Sequence, residues 1–283
     1  MKFYTDHYFY IGYSHLNSGK PCQDYALSKS SDSSGYAVVS DGCSTGGHTD
    51  IGARLYALSI ANVLGVGTKA DFSVFEVETQ AKQKVEEVKK SLGLDRSDLL
   101  ATCMYSFLSQ DQGIIRILGD GVIALKYTDG RISLKRFDWA NNAPYYPAYT
   151  ESDSDLYVQN IHGGVLENAK LRLIEVEYRD SVCVSEKETS IPFADAIGGF
   201  SVFISTEEIQ NDLEFVALFS DGVTQVDSVD WKSATLNFLD FKSLSGEFAK
   251  RRMIRGIKDY QKVGHGPVDD ISYAVVRIDR EGN

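Results

Sequence analysis

Five acidic positions in this chain follow or precede apolar runs in a way that could bring carboxylates together. Asp24 lies in SHLNSGKPCQDYAL, Asp41 ends AVVSDG, Asp120 sits in RILGDGVIAL, Asp221 ends VALFSDG, and the Asp269–Asp270 pair precedes ISYAVV. Carboxylates gathered at one place repel unless protons or a cation neutralise them. An all-oxygen donor set suits Mg²⁺ or Mn²⁺ rather than Zn²⁺. Gly42 and Gly222 follow Asp41 and Asp221, and a residue without Cβ lets backbone approach such an ion closely. Each position also has an ordinary role open to it. Asp24 could cap a turn, Asp269 and Asp270 could end a solvated loop, and Asp120 could sit in a hairpin turn between Gly119 and Gly121. Asp129–Gly130, between the alternating runs IALKY and RISLKRF, reads as a tight turn with positive φ at its centre. His15, His48 and His265 lack the spacing of zinc ligands.

The elements that must hold these residues are mostly strands. YFYIGYS, GYAVVS, TCMYSFLS, GIIRIL, GVIALKY, RISLKRF, KLRLIEVEY, FSVFIS, FVALFS and ISYAVVRID are short, β-branched or aromatic, and bounded by Gly, Asp or Asn. Connections too short for a crossover helix make neighbouring strands antiparallel. A helix is expected over Ile51–Leu64, ending at Gly65 and apolar on nearly all sides. A second is expected over Val74–Leu92, with a Ser73/Glu76 capping-box pattern and Gly93 as C-terminal cap. A third stripe, Phe248, Ala249, Met253, Ile257 and Tyr260, predicts a helix over about 244–262 whose KRRMIR cluster is its wet face. Asp138–Tyr157, with Pro144 and Pro147, reads as a long loop. Without a linker or internal repeat, residues 1–283 form one α+β domain, helix pairs on an antiparallel β core.

Composition narrows the function. With 29 basic and 40 acidic residues, a net charge of -11 disfavours nucleic-acid or anionic-membrane binding. Asp6 and His7 interrupt any signal-peptide core, and no apolar run has the length of a membrane span. Cys22, Cys43, Cys103 and Cys183 are widely spaced, as in a reduced, cytoplasmic protein.

The order of these features resembles the metal-dependent protein phosphatases of type 2C (the PPM family), in a form closer to a bacterial branch. GYSHLNSGKPCQDYAL, VVSDGCSTGGHTDIGARL, ATCMYSFL, ILGDGVIAL, LFSDGV and DDISYAVV carry the likeness, from about Ile11 to Ile278. The resemblance implies a sandwich of two antiparallel sheets flanked by helix pairs, a four-layer αββα arrangement with the metals in a cleft at one end. It implies that Asp41 bridges two Mg²⁺ or Mn²⁺ ions and that Gly42 offers its carbonyl to one. Asp221 and Asp269 complete the other ion's shell, Asp24 orients water, and Asp120 helps hold a weaker third ion. Hydrolysis of phosphoserine or phosphothreonine in proteins would then proceed through a metal-bridging hydroxide, with Asp24, Asp41 and Asp221 as the catalytic set and a Ser/Thr kinase as the opposing enzyme. Cys22 and Cys43 are incidental, since neither lies in a C-x5-R loop.

Three positions depart from the family pattern. Gln23 stands where many relatives have Glu, Cys43 where some have His, and no Arg shortly precedes the Gln-Asp pair to grip phosphate. His48 is a substitute for the first of these missing groups that carries a ring, and Lys20 or His15 for the Arg, with less bidentate geometry. Two other readings stay open: a phosphatase-like regulatory binding protein with little turnover, and a metal-dependent hydrolase of small phosphoesters. Substrate choice would be read by the loop around 138–160 and by the stretch before Asp221.

Overall fold

The apolar runs that end in Ser-Asp-Gly are continuous rather than alternating because their strands are covered on both faces. In the strand Ser34–Asp41, Val39 faces one core and Val38 another; in Leu213–Phe219, Leu218 and Phe219 divide the same way. The computed structural model describes residues 1–66 and 73–280.

In chain order the strands are β1 (Lys2–Tyr10), β2 (Asp24–Ser30), β3 (Ser34–Asp41), β4 (Cys103–Ser109), β5 (Gly113–Leu118), β6 (Gly121–Tyr127) and β7 (Ile132–Trp139). They continue with β8 (Lys170–Arg179), β9 (Val182–Pro192), β10 (Phe200–Ile204), β11 (Leu213–Phe219) and β12 (Ile271–Asp279). The helices are α1 (Tyr13–Ser18), α2 (Thr49–Val66), α3 (Val74–Leu92), α4 (Ser154–His162), α5 (Phe193–Ala196), α6 (Trp231–Leu239) and α7 (Phe248–Lys262). The strands form two antiparallel sheets, one ordered β1-β12-β11-β6-β7-β8-β9 and the other β10-β5-β4-β3-β2.

Three apolar cores make four layers. Met104, Ile115, Ile117, Ile123, Phe137 and Val216 fill the space between the sheets. Ala53, Ala57 and Ile60 of α2 and Val77, Ala81 and Val85 of α3 pack on Val38 and Tyr105 outside the smaller sheet. Ala234 and Phe238 of α6 and Ala249, Met253 and Ile257 of α7 cover Phe219 and Tyr273 outside the larger one. Arg116 of β5 pairs with Glu78 of α3 at 2.5 Å, a largely buried ion pair that ties a helix to its sheet. No helix among the described residues is long and apolar enough to cross a membrane.

Helix α3 has the expected bounds: the Ser73 hydroxyl accepts the Glu76 N–H, and Gly93 is left-handed at φ 67°. The Asp129–Gly130 turn joins β6 to β7, with Gly130 at φ 85°. Elsewhere the boundaries move. β1 lies earlier than YFYIGYS, and α2 runs through Gly65. α7 starts at Phe248 because the preceding chain turns at Gly246. The loop predicted over Asp138–Tyr157 contains the end of β7 and the start of α4. β2, β9 and α6 had no strand or helix reading; β9 is an edge strand exposed over most of its length, so it lacks an apolar face. Of the two roles open to Asp120, the hairpin turn is not the one the fold takes. β5 and β6 belong to different sheets, so Gly119-Asp120-Gly121 is the crossing between them.

Candidate metal centre

Strand pairing alone brings the first two aspartates together. Asp24 opens β2, Asp41 closes β3, and the two stand opposite each other in register. The β3 end is held by Thr102, whose hydroxyl accepts the Asp41 N–H at 3.1 Å. Asp221 follows β11 and Asp269 precedes β12, its antiparallel neighbour, so the larger sheet delivers both at the same end. Asp120, in the crossing between sheets, is 3% exposed and lies where its charge bears on Asp41 and Asp221. The Asp41 carboxyl lies within the fields of Asp24 and Asp221. The structure therefore brings Asp24, Asp41, Asp120 and Asp221 to one end of the two sheets, Asp24 and Asp120 buried and Asp41 and Asp221 half-buried, with Asp269 beside Asp221.

Glycines permit the approach of these loops. A Cβ on Gly222 would stand 1.8 Å from the Asp270 carbonyl oxygen, and one on Gly42 would stand 2.7 Å from the Thr49 carbonyl oxygen. Both Ser-Asp-Gly glycines are thus fixed by backbone contact.

The electrostatics follow from burial. Loss of water pushes the Asp24 carboxyl up to about 7, against lowering contacts from Asp41 and Ser220. Burial, then the charges of Asp24 and Asp221, hold Asp41 well above the ordinary carboxylate range. Burial and Asp221 do the same to Asp120, and burial raises Asp221 although Asp41 and Gln225 offset part of the effect. Gln225 Nε2 donates to Asp221 Oδ2 at 2.9 Å.

Three side chains here have buried oxygens without a hydrogen bond: both carboxylate oxygens of Asp24, Oε1 of Gln23 and the hydroxyl of Ser272. The Gln23 amide cannot simply be reversed. Thr49 Oγ1 donates to the Cys43 carbonyl at 3.0 Å, so it must accept from Gln23 Nε2 at 2.7 Å. Orphaned, acceptor-only oxygens beside mutually repelling carboxylates are the donor set of a hard divalent cation. The residues present fit Mg²⁺ or Mn²⁺.

Asp269 and Asp270 have separate roles. Asp270 is saturated by the protein: it accepts the Gly12 N–H at 2.8 Å, the Gln23 N–H at 2.6 Å and His15 Nδ1 at 2.9 Å. Asp269 is partly exposed and accepts the Asp270 N–H at 2.8 Å. His15, expected as a phosphate ligand, is 6% exposed and spends Nδ1 on Asp270, with Asp269 at 3.7 Å. It braces the loops that carry the site. Lys20 is exposed, with Nζ on the Ser44 carbonyl at 2.9 Å. His48 is exposed, its N–H bonded to Asp98 Oδ1 at 2.6 Å. Burial raises the Cys22 thiol, which suits an inert group.

Tyr146 was not read from the sequence. It is buried, close to Cys43 and within the fields of Asp120 and Asp41, so the loop after β7 roofs the cluster. Its rings Tyr145, Tyr149 and Tyr157 pack edge-on or tilted against one another. The aromatic density of APYYPAY was the available signal.

Known structures share this architecture. A serine/threonine phosphatase from S. agalactiae superposes with a TM-score of 0.50 at 16% identity, over 98% of this chain and 100% of that one. The Mycobacterium tuberculosis serine/threonine phosphatase PstP/Ppp gives a TM-score of 0.54 at 11% identity, over 99% and 100%. A catalytic domain of PstP in complex with two manganese ions gives 0.54 at 12% identity, over 98% and 99%. Among curated proteins none matches the chain significantly by sequence. At these identities the structural likeness establishes the fold. The family rests on sequence: the model of protein phosphatase 2C matches residues 11–253, a span that takes in Asp24, Asp41, Asp120 and Asp221, and the chain belongs to the protein phosphatase 2C family.

Proposed function

We propose that the protein is a Mg²⁺- or Mn²⁺-dependent serine/threonine protein phosphatase, with residues 1–283 as one catalytic unit. The observation that carries this reading is Asp24: a fully buried carboxylate whose two oxygens make no hydrogen bond, opposite Asp41 in register. Cations held by the neighbouring carboxylates would offset the charge of such a group. Asp41, between Asp24 and Asp221, would hold two such ions, the Gly42 carbonyl helping with one and Asp221 and Asp269 with the other, and Asp120 would help hold a weaker third. When bound, the ions supply Lewis acidity toward water and toward the phosphoryl oxygens.

The chain's own groups set the geometry. Asp24, opposite Asp41, would orient the attacking water and is placed to take up its proton. Gln225 fixes the rotamer of Asp221, and Asp270 clamps Gly12 and Gln23 so that Asp269 stays beside them. Lys20 supplies a cation for the phosphate. The substrate is a phosphorylated protein and the opposing enzyme a serine/threonine kinase. The four free cysteines, one of them exposed, accord with a cytoplasmic setting.

The test is hydrolysis of a phosphothreonine peptide with Mn²⁺, Mg²⁺ or EDTA, beside Asp41→Ala and Asp221→Ala variants. Turnover that needs the metal and is lost in both variants is expected. Calorimetric Mn²⁺ binding without turnover would favour the regulatory reading, for which Gln23 in a ligand position is the supporting feature. Absence of both would overturn the site.

A further inference from the structure

The acidic chain carries one concentrated basic cleft, on the outer face of the helical layer over the larger sheet. A cavity of about 390 Å³ lies between α7 and the segment before it, lined by Lys242, Phe248, Arg251, Ile254, Arg255 and Lys258 among others. The helix carries six basic residues and one acidic residue, Asp259. Its first turn contains no acidic residue, so Lys250, Arg251 and Arg252 oppose the helix dipole there.

These cations differ in freedom. Arg252 is tied down by the Asn237 carbonyl and Oδ1, both at 2.5 Å, and Lys250 pairs with Glu247 at 2.7 Å. Arg251 reaches the Ser245 carbonyl, and Arg255 makes an exposed pair with Asp259 at 3.3 Å, an interaction worth little. Lys242 and Lys258 are exposed and make no ion pair or hydrogen bond among the described residues. Phe248 is buried and Ile254 half-buried, so the cleft has an apolar floor under a cationic rim.

We propose that this cleft docks an acidic segment of a partner protein, with carboxylates on Arg251, Arg255 and Lys258 and an aliphatic side chain over Phe248 and Ile254. Charge complementarity selects the ligand's sign. The concave shape and apolar floor select a peptide over a flat membrane, and the overall charge of -11 repels an extended polyanion beyond the cleft. The site is independent of catalysis, so a failure here leaves the phosphatase reading untouched.

The experiment is fluorescence anisotropy of a labelled Glu/Asp-rich dodecapeptide containing one leucine, at low salt. EDTA is present throughout so that peptide carboxylates cannot bind through a cation at the aspartate cluster. Saturable binding is expected. The Arg255→Glu/Lys258→Glu double variant should bind at least about tenfold more weakly. Lys82→Glu/Lys90→Glu, exposed on α3 and equal in charge change, should bind as the unmodified chain does. Replacing the leucine by serine should also weaken binding. No saturable binding, or equal losses in both double variants, would overturn the proposal. So would anionic vesicles or a single-stranded oligonucleotide binding through Arg255 and Lys258 more tightly than the peptide.

Discussion

Replacing Asp24 by Asn should stabilise the metal-free protein, although it removes a residue assigned to the site. Burial pushes the Asp24 carboxyl from its ordinary 3.8 up to about 7. A folded-state value above the unfolded one means that the native chain keeps a proton which the unfolded chain releases. Stability therefore falls as pH rises from about 4 to about 7, and is level above that. Three units at about 1.4 kcal/mol each give a cost of up to about 4 kcal/mol at pH 8. The side chain is 0% exposed, so solvent screening does not reduce this figure. Asn keeps the shape without the charge, and the neighbouring Asp41 carboxylate can accept from its amide. With an unfolding entropy of roughly 2.1 cal/mol/K per residue over 283 residues, 4 kcal/mol corresponds to about 7 °C in Tm. Thermal unfolding in EDTA at pH 8 is the assay. Asp24→Asn should melt several degrees above the unmodified chain, and the gap should shrink to about 1 kcal/mol at pH 4.5. Saturating Mn²⁺ should shrink the gap, because cations held by the neighbouring carboxylates offset the Asp24 charge that costs the unmodified chain stability without metal. A variant less stable than the unmodified chain in EDTA at pH 8, or a gap independent of pH, would refute the reasoning.

Gln23→Glu should raise Mn²⁺ affinity by about tenfold in calorimetry, since the orphaned Oε1 becomes a charged oxygen. The same change should cost about 1–2 kcal/mol without metal, because Thr49, already donating to Cys43, has no proton for a carboxylate. Glu78→Gln leaves the Arg116 guanidinium buried without its counter-charge and should lower stability by about 3 kcal/mol in urea unfolding. Its Mn²⁺ affinity should stay unchanged, since α3 and β5 meet on the other face of the smaller sheet from the inter-sheet core. Gly222→Ala drives a Cβ into the Asp270 carbonyl, so both stability, by about 1–3 kcal/mol, and Mn²⁺ affinity should fall.

The sequence was most legible where one residue type decides local structure. Ser73 and Gly93 fixed both ends of α3, and Asp129–Gly130 fixed a hairpin, because caps and turns depend on a few adjacent groups. Doubly covered strands were legible through their unbroken apolar runs. β9 was not, being an exposed edge with no apolar pattern to read. At the site, local rules could name the aspartates but could not separate Asp269 from Asp270. Their difference lies in partners 247 and 258 residues away, the Gln23 and Gly12 N–H groups that fill the Asp270 oxygens. His15 was misjudged for the same reason: a histidine in a polar loop gives no sign in sequence of the buried carboxylate it meets.

Asp120 shows why hairpin chemistry and site chemistry look alike in sequence. Gly119 at φ 109° and Gly121 at φ 131° adopt backbone open to glycine, as a tight turn would ask. Here that backbone turns the chain out of the smaller sheet and into the larger one. The crossing carries a buried carboxylate to the end where β3 and β11 terminate, although neither strand is bonded to the other. Adding a side chain at either glycine would press on Thr102 or on Met104 and the Phe219 carbonyl. The tripeptide is therefore constrained on both flanks by the sheets it joins. The centre does not exist within either sheet: Asp24 and Asp41 come from one, Asp221 and Asp269 from the other, and the inter-sheet core sets the separation between the pairs. A cavity opened at Met104 or Ile123, on opposite sides of that core, should thus act on metal affinity through spacing as well as on stability.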